Sequence, residues 1–182
     1  MNQTIEIIVG PMFSGKSQEL CRRISRYQAV NIPCMIINHL LDTRTENFIQ
    51  THSDIKIPAI KSNLLMPLSS SEFYKNSTVI CIDEAQFFND LYDFVIQCEK
   101  DGKSVIIAGL DGDSDRQPFG QILQCIPLCD SIVKQTAYDM IDKDASKAIF
   151  TLKICDNPNQ VVIGSKDKFI AVNRKNYCAR TQ

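Results

Sequence analysis

"GPMFSGKSQEL", residues 10–20, follows the apolar run IEIIV at 5–9 and leads into an arginine-rich stretch. Gly10 and Gly15 stand five apart, with Lys16 and Ser17 directly behind the second glycine. This is the complete phosphate-binding loop (P-loop) pattern, and chemistry explains the spacing. Glycines let the backbone wrap so that successive N–H groups face phosphate oxygens, and the N-terminus of the next helix adds positive potential. The loop comprises Gly10, Pro11, Met12, Phe13, Ser14, Gly15, Lys16 and Ser17. In this pattern Lys16 is expected to reach the β and γ phosphates of a nucleotide and the Ser17 hydroxyl to bind Mg²⁺; the bland alternative is a glycine turn with an exposed lysine.

The rest of the chain is read outward from this loop. Residues 5–9 predict a buried strand, and Ser17 to about Ala29 a basic-faced helix. Further strands are expected at 33–38 (PCMIIN), 78–82 (TVICI) and 104–108 (SVIIA), with a helix over 88–100 that Asp101-Gly102 ends. Strands written as unbroken apolar runs and spaced by helices predict an α/β fold. Its parallel sheet is flanked by helices, as in P-loop NTPases. The polar stretch 39–58 reads as a loop. Beyond residue 135 only short strand-like pieces (149–154, 160–163, 169–172) appear, with no amphipathic helix. The expected division is a nucleotide-binding core at 1–135 and a small unit at 136–182.

Composition narrows the function. The 182 residues carry 20 basic and 21 acidic side chains, a balance without the basic excess of a nucleic-acid-binding surface. No apolar run approaches a membrane span, and the first residues lack the basic-then-apolar pattern of a signal peptide. The expectation is a soluble cytoplasmic protein with neither nucleic acid nor membrane as partner. Eight dispersed cysteines read as reduced thiols. Cys125 and Cys129 lie four apart, but His39 and His52 are the sole histidines, so the pair reads as packing rather than metal.

Asp83 and Glu84 end the run VICI. An acid at the end of an apolar strand is where a P-loop fold places its Mg²⁺-associated aspartate, a role that falls to Asp83. Glu84 beside it can accept a proton from an attacking hydroxyl, or orient a water for hydrolysis. The pattern leaves both open.

With "GPMFSGKS" at 10–17, "DTR" at 42–44, "TH" at 51–52, "DEAQFF" at 83–88, "GLDGDSDRQPFG" at 109–120 and "VVIGSKDKF" at 161–169, the chain resembles type II thymidine kinases along nearly its whole length. The resemblance implies transfer of the ATP γ-phosphate to the 5′-hydroxyl of thymidine, and of deoxyuridine. In it Glu84 is the general base, with Lys16 and Arg44 stabilising phosphoryl charge; Asp42 and Gln86 join the ATP/Mg²⁺ set. Met12, Phe87, Leu110, Ser114 and Phe119 surround the nucleoside. So do Phe169, at a usual tyrosine position, and the lasso-shaped loop Gln160, Val161, Val162, Ile163 and Gly164. A homotetramer and feedback inhibition by dTTP are also implied. On residues alone, Asp42 and Arg44 also fit a surface ion pair, and the phenylalanines fit core positions. His52 fits a local hydrogen bonder.

Two departures stand out. Where the family holds a structural zinc with cysteines, the register gives Asp139, Asp142, Asn173 and Asn176. No zinc is therefore expected, and the small unit is expected to be held by its own packing, hydrogen bonds among these four side chains being an optional addition. Ser114 replaces a frequent phenylalanine and removes an apolar wall of the pocket. The alternatives are a broader deoxynucleoside kinase, another P-loop ATPase, or a nucleotide-binding protein without kinase activity.

Overall fold

The computed structural model describes residues 2–43, 47–50, 56–157, 159–160 and 167–180. In chain order the first elements are β1 (Ile5–Val9), α1 (Lys16–Gln28), β2 (Cys34–His39), β3 (Phe48–Gln50), β4 (Lys56–Pro58) and β5 (Ile60–Ser62). Then come α2 (Glu72–Asn76), β6 (Val79–Ile82), α3 (Leu91–Lys100), β7 (Ser104–Gly109) and β8 (Ser131–Lys134). The last are β9 (Ala137–Tyr138), β10 (Lys147–Ala148), β11 (Phe150–Lys153), β12 (Phe169–Val172) and α4 (Arg174–Arg180).

Six strands form one sheet in the order β5-β2-β6-β7-β1-β8, and every pairing in it is parallel. Strand periodicity of two sends β1 side chains to both faces. Ile5, Ile7 and Val9 join a core with Leu91, Phe94, Val95 and Cys98 of α3. Ile8 points the other way, to Leu20, Cys21 and Ile24 of α1. Glu6 shares that second face and pairs with Arg23 of α1. Both faces are covered, which is why these strands read as continuous apolar runs. Truncating fully buried Phe94 to alanine should cost about 3–5 kcal/mol.

The stretch 39–58 departs from the loop reading. Within it β3 and β4 form an antiparallel pair, whose Ile49 and Ile57 are buried against the α1 side of the sheet. The helix expected at 88–100 begins at Leu91. Asp90 ahead of it instead accepts the backbone N–H groups of Leu65 and Met66, each at 2.8 Å.

Beyond residue 135, β9 and β10 pair, β11 and β12 pair, and Met140 N–H joins the two by donating to Ala171 C=O at 2.9 Å. Helix α4 was absent from the sequence reading, because its seven residues bury little besides Asn176 and Tyr177. The apolar cores here are thin: Ala137, Ala148 and Ala171 in one cluster, Leu152, Val172 and Tyr177 in another. All eight cysteines are free thiols. Burial pushes the Cys125 thiol up to about 12, as expected of a packing residue.

Candidate active site

Parallel pairing puts the C-terminal ends of β1 and β6 on one edge of the sheet, with β7 between them. At the end of β1, Gly10 has φ +145°, and a Cβ there would lie 2.4 Å from the Gln135 carbonyl oxygen. No side chain fits. Gly15, at φ +82°, turns the chain into α1. Lys16 Nζ donates to Pro11 C=O at 2.7 Å, so its side chain arches back over the loop it serves. Ser14 Oγ is buried without a hydrogen-bond partner among the described residues. An orphaned donor in such a loop fits a phosphate oxygen. Ser17 Oγ donates to Asp83 Oδ1 at 3.2 Å. A hydroxyl and a carboxylate side by side are hard oxygen ligands of the kind Mg²⁺ takes.

Glu84 follows directly. Its φ of 52° places it in the left-handed region, rare for a residue with a Cβ, and strain of this kind gathers at functional sites. Gln86 is 2 % exposed and spends both ends of its amide inside the protein. Its Nε2 donates to Glu84 Oε2 at 2.7 Å, and its Oε1 accepts from Leu110 N–H at 3.0 Å. Gln86 was expected among the ATP and Mg²⁺ residues; among the described residues it braces Glu84 against the 109–120 loop.

On the far side of Glu84, the Phe87 ring meets Phe119 edge-on at 5.6 Å and lies 5.5 Å from His39. His39 is buried, accepts Leu41 N–H on Nδ1 at 3.0 Å, and has its pKa lowered, chiefly by burial. Phe87 is partly exposed whereas Phe119 is buried, so the pair presents one open ring; Leu110 is buried. Ser114 is buried and its carbonyl accepts the Tyr177 hydroxyl at 2.6 Å. Phe169 is buried in β12 opposite Lys153. Gln160 Nε2 donates to Asp113 Oδ2 at 2.6 Å. Met12 N–H donates to Thr151 Oγ1 at 2.9 Å, and Phe13 packs on the alanine cluster of the C-terminal unit. The phosphate loop and that unit are thus docked together.

Asp42 is buried and accepts Asn38 Nδ2 at 2.8 Å, while Lys61 Nζ donates to the Asp42 carbonyl at 2.6 Å. It does not sit on the surface. Arg44, His52, Val161, Val162, Ile163 and Gly164 lie outside the described residues, as does most of the strand expected at 160–163. Thr151, Lys61 and Tyr177 were missed by sequence reading. Each lies on a short strand or helix with no motif to mark it, and only the fold brings it to the site.

The register of the family zinc is occupied by hydrogen bonds. Asp139 is 2 % exposed. Its Oδ1 accepts the N–H groups of Ile141 and Asp142 at 2.8 Å each and Asn176 Nδ2 at 3.0 Å. Its Oδ2 accepts Asn173 N–H at 2.6 Å. Burial alone would raise this carboxyl, but the donated bonds outweigh it and lower the pKa. Asn173 Oδ1 in turn accepts Asn176 N–H at 2.8 Å, capping α4. A carboxylate so engaged, with two carboxamides, does not fit a structural zinc, which favours thiolate and imidazole.

A parallel α/β sheet, a complete phosphate loop after β1 and an acid pair after β6, with β7 between the two strands, define a P-loop nucleotide-binding fold. The thymidine kinase family model matches residues 3–177. The chain is 41% identical over 173 residues to the thymidine kinase of Yaba monkey tumor virus (strain VR587), covering 95% of this chain and 93% of that protein. It is 39% identical to the cytosolic thymidine kinase of Homo sapiens, covering 95% of this chain and 72% of that protein. Identity to the thymidine kinase of Vaccinia virus (strain Western Reserve) is also 39%, over 95% of this chain and 96% of that one. The chain belongs to the thymidine kinase family. Among the described residues, no helix is long and apolar enough to cross a membrane.

Proposed function

We propose that this protein transfers the γ-phosphate of ATP to the 5′-hydroxyl of thymidine, and of deoxyuridine. The observation that carries the reading is the alignment of Ser17, Asp83 and Glu84 at one sheet edge, next to the Phe87–Phe119 wall. Lys16 leaves the Pro11 carbonyl to reach the phosphates, and the loop N–H groups and Ser14 hold their oxygens. Ser17 and Asp83 hold Mg²⁺, which when bound neutralises phosphate charge. Glu84, held by Gln86, takes the proton from the 5′-hydroxyl as that oxygen attacks. Met12, Phe87, Leu110, Phe119 and Phe169 enclose the base, with the lasso 160–164 reading its edge. Arg44 stabilises charge on the transferring group, and Asp42 belongs to the ATP/Mg²⁺ set.

The working division is a core of 1–135 and a lasso-bearing unit of 136–182. That unit needs no zinc: Asp139 gathers four N–H groups where the family has a metal. The protein acts in the cytoplasm as a homotetramer inhibited by dTTP. Support for self-association comes from edge strand β8, whose Ile132 and Val133 are 44% and 38% exposed; such an edge calls for a partner. Phosphate transfer is tested by following ATP consumption with and without thymidine. A kinase consumes ATP in step with thymidine monophosphate formation. Thymidine-independent consumption would assign an ATPase instead.

A further inference from the structure

The 109–120 loop carries three residues of the proposed nucleoside wall, yet its tip is held from outside. Asp113 is 9% exposed and its carboxylate is fully engaged. Oδ1 accepts the N–H groups of Asp115 and Gln117, each at 2.9 Å, which fixes the turn. Oδ2 accepts Gln160 Nε2 at 2.6 Å, 47 residues away. One residue on, the Ser114 carbonyl accepts the buried Tyr177 hydroxyl of α4 at 2.6 Å. Two further on, the Arg116 guanidinium lies 4.7 Å from the Tyr177 ring and 5.8 Å from the Phe150 ring. Asp113, Ser114 and Arg116 thus grip the C-terminal unit by three different chemistries. The base of the loop is fixed by Gln86, through Leu110 N–H.

We infer that Asp113 and Tyr177 are positioning residues for nucleoside binding, an inference that rests on the thymidine kinase reading. They touch no reacting atom. Their bonds set where Leu110, Ser114 and Phe119 stand. Ser114 supplies little apolar wall, so the pocket depends on where the backbone carrying it is held. The same bonds satisfy the Asp113 carboxylate with three N–H donors.

The variants are Tyr177→Phe, Asp113→Ala and Asp113→Asn, each read by steady-state kinetics in thymidine and in ATP and by thermal melting. Tyr177→Phe keeps the ring under Arg116 and removes the hydroxyl, with its donation to the Ser114 carbonyl and its hydrogen bond with Arg116. It should raise the KM for thymidine about five- to tenfold, the size of one lost buried hydrogen bond, with kcat and the KM for ATP unchanged. Asp113→Ala should do the same or more. Asp113→Asn should recover most of the loss, because the Asn oxygen still caps the turn and Gln160 can turn its amide to accept. A wild type that phosphorylates thymidine beside Tyr177→Phe and Asp113→Ala of unchanged thymidine KM overturns the positioning role alone. Parallel rises in both KM values with a fall in melting temperature overturn it too, as plain structural damage. A wild type inert towards thymidine overturns the kinase reading and this inference with it.

Discussion

Gln86 joins Glu84 to Leu110: one amide donates to the Glu84 carboxylate at 2.7 Å and accepts the Leu110 N–H at 3.0 Å. Glu84 and the 109–120 loop therefore share a single buried support. Glu84 sits in a left-handed conformation that needs such support to persist.

Replacing Gln86 with leucine strands Leu110 N–H and removes one hydrogen bond from the Glu84 carboxylate. The stranded donor should cost about 1–3 kcal/mol of stability. Urea denaturation measures that loss, and kcat for thymidine should fall with it while ATP affinity holds.

Glu84→Gln keeps size and hydrogen bonding but cannot take a proton. It should fold and bind ATP as the wild type does, and kcat should drop by about 10²- to 10⁴-fold. Single-turnover kinetics with saturating thymidine are the check, and near-normal turnover would remove Glu84 from the mechanism.

Gly10→Ala places a methyl group 2.4 Å from the Gln135 carbonyl oxygen at a backbone angle of φ +145°. The loop must shift, so ATP affinity should fall at least tenfold, about 1.4 kcal/mol. Fluorescent nucleotide titration reads this directly.

Asp139→Ala leaves four N–H groups without their acceptor. The thin alanine core cannot compensate, and stability should fall by about 3 kcal/mol or more. A chelator should leave the wild-type melting temperature unmoved. A chelator-sensitive protein containing one zinc per chain would contradict the hydrogen-bonded replacement.

Acid sensitivity has a local source in Glu19. Its bond to Arg22, with further help from Arg23 and against some desolvation, lowers its pKa from 4.5 to about 2. The folded value lies below the unfolded one, so the contribution is complete above about pH 5 and is lost as pH falls toward 2. Solvent screening limits it to about 1 kcal/mol. Glu19→Gln should flatten the pH dependence of stability between pH 2 and 5, measured by melting temperature.

The legible parts of this fold are those whose signal is local. IEIIV, VICI and SVIIA announced buried parallel strands because both faces of the sheet are covered. The glycine spacing announced the phosphate loop. The β3–β4 hairpin was not legible: each strand has three residues, and single isoleucines, Ile49 and Ile57, do the packing. Helix α4 was hidden for a similar reason, since its start depends on Asn173 and on Asp139, which lies 34 residues earlier. The site divides the same way. Lys16, Ser17 and Asp83 belong to sequence patterns, and Gln86 belongs to DEAQFF although its bond to Leu110, 24 residues on, was not foreseen. Thr151 and Tyr177 act through partners 139 and 63 residues distant.

The account turns on which hydroxyl receives the phosphate. The most direct measurement is ATP-dependent phosphorylation of thymidine, deoxyuridine, deoxycytidine and deoxyguanosine in parallel, with nucleoside-free ATP hydrolysis alongside. The account predicts 5′-monophosphate from thymidine and deoxyuridine and none above background from the other two. Hydrolysis without nucleoside product, or no turnover with any of the four, would contradict it.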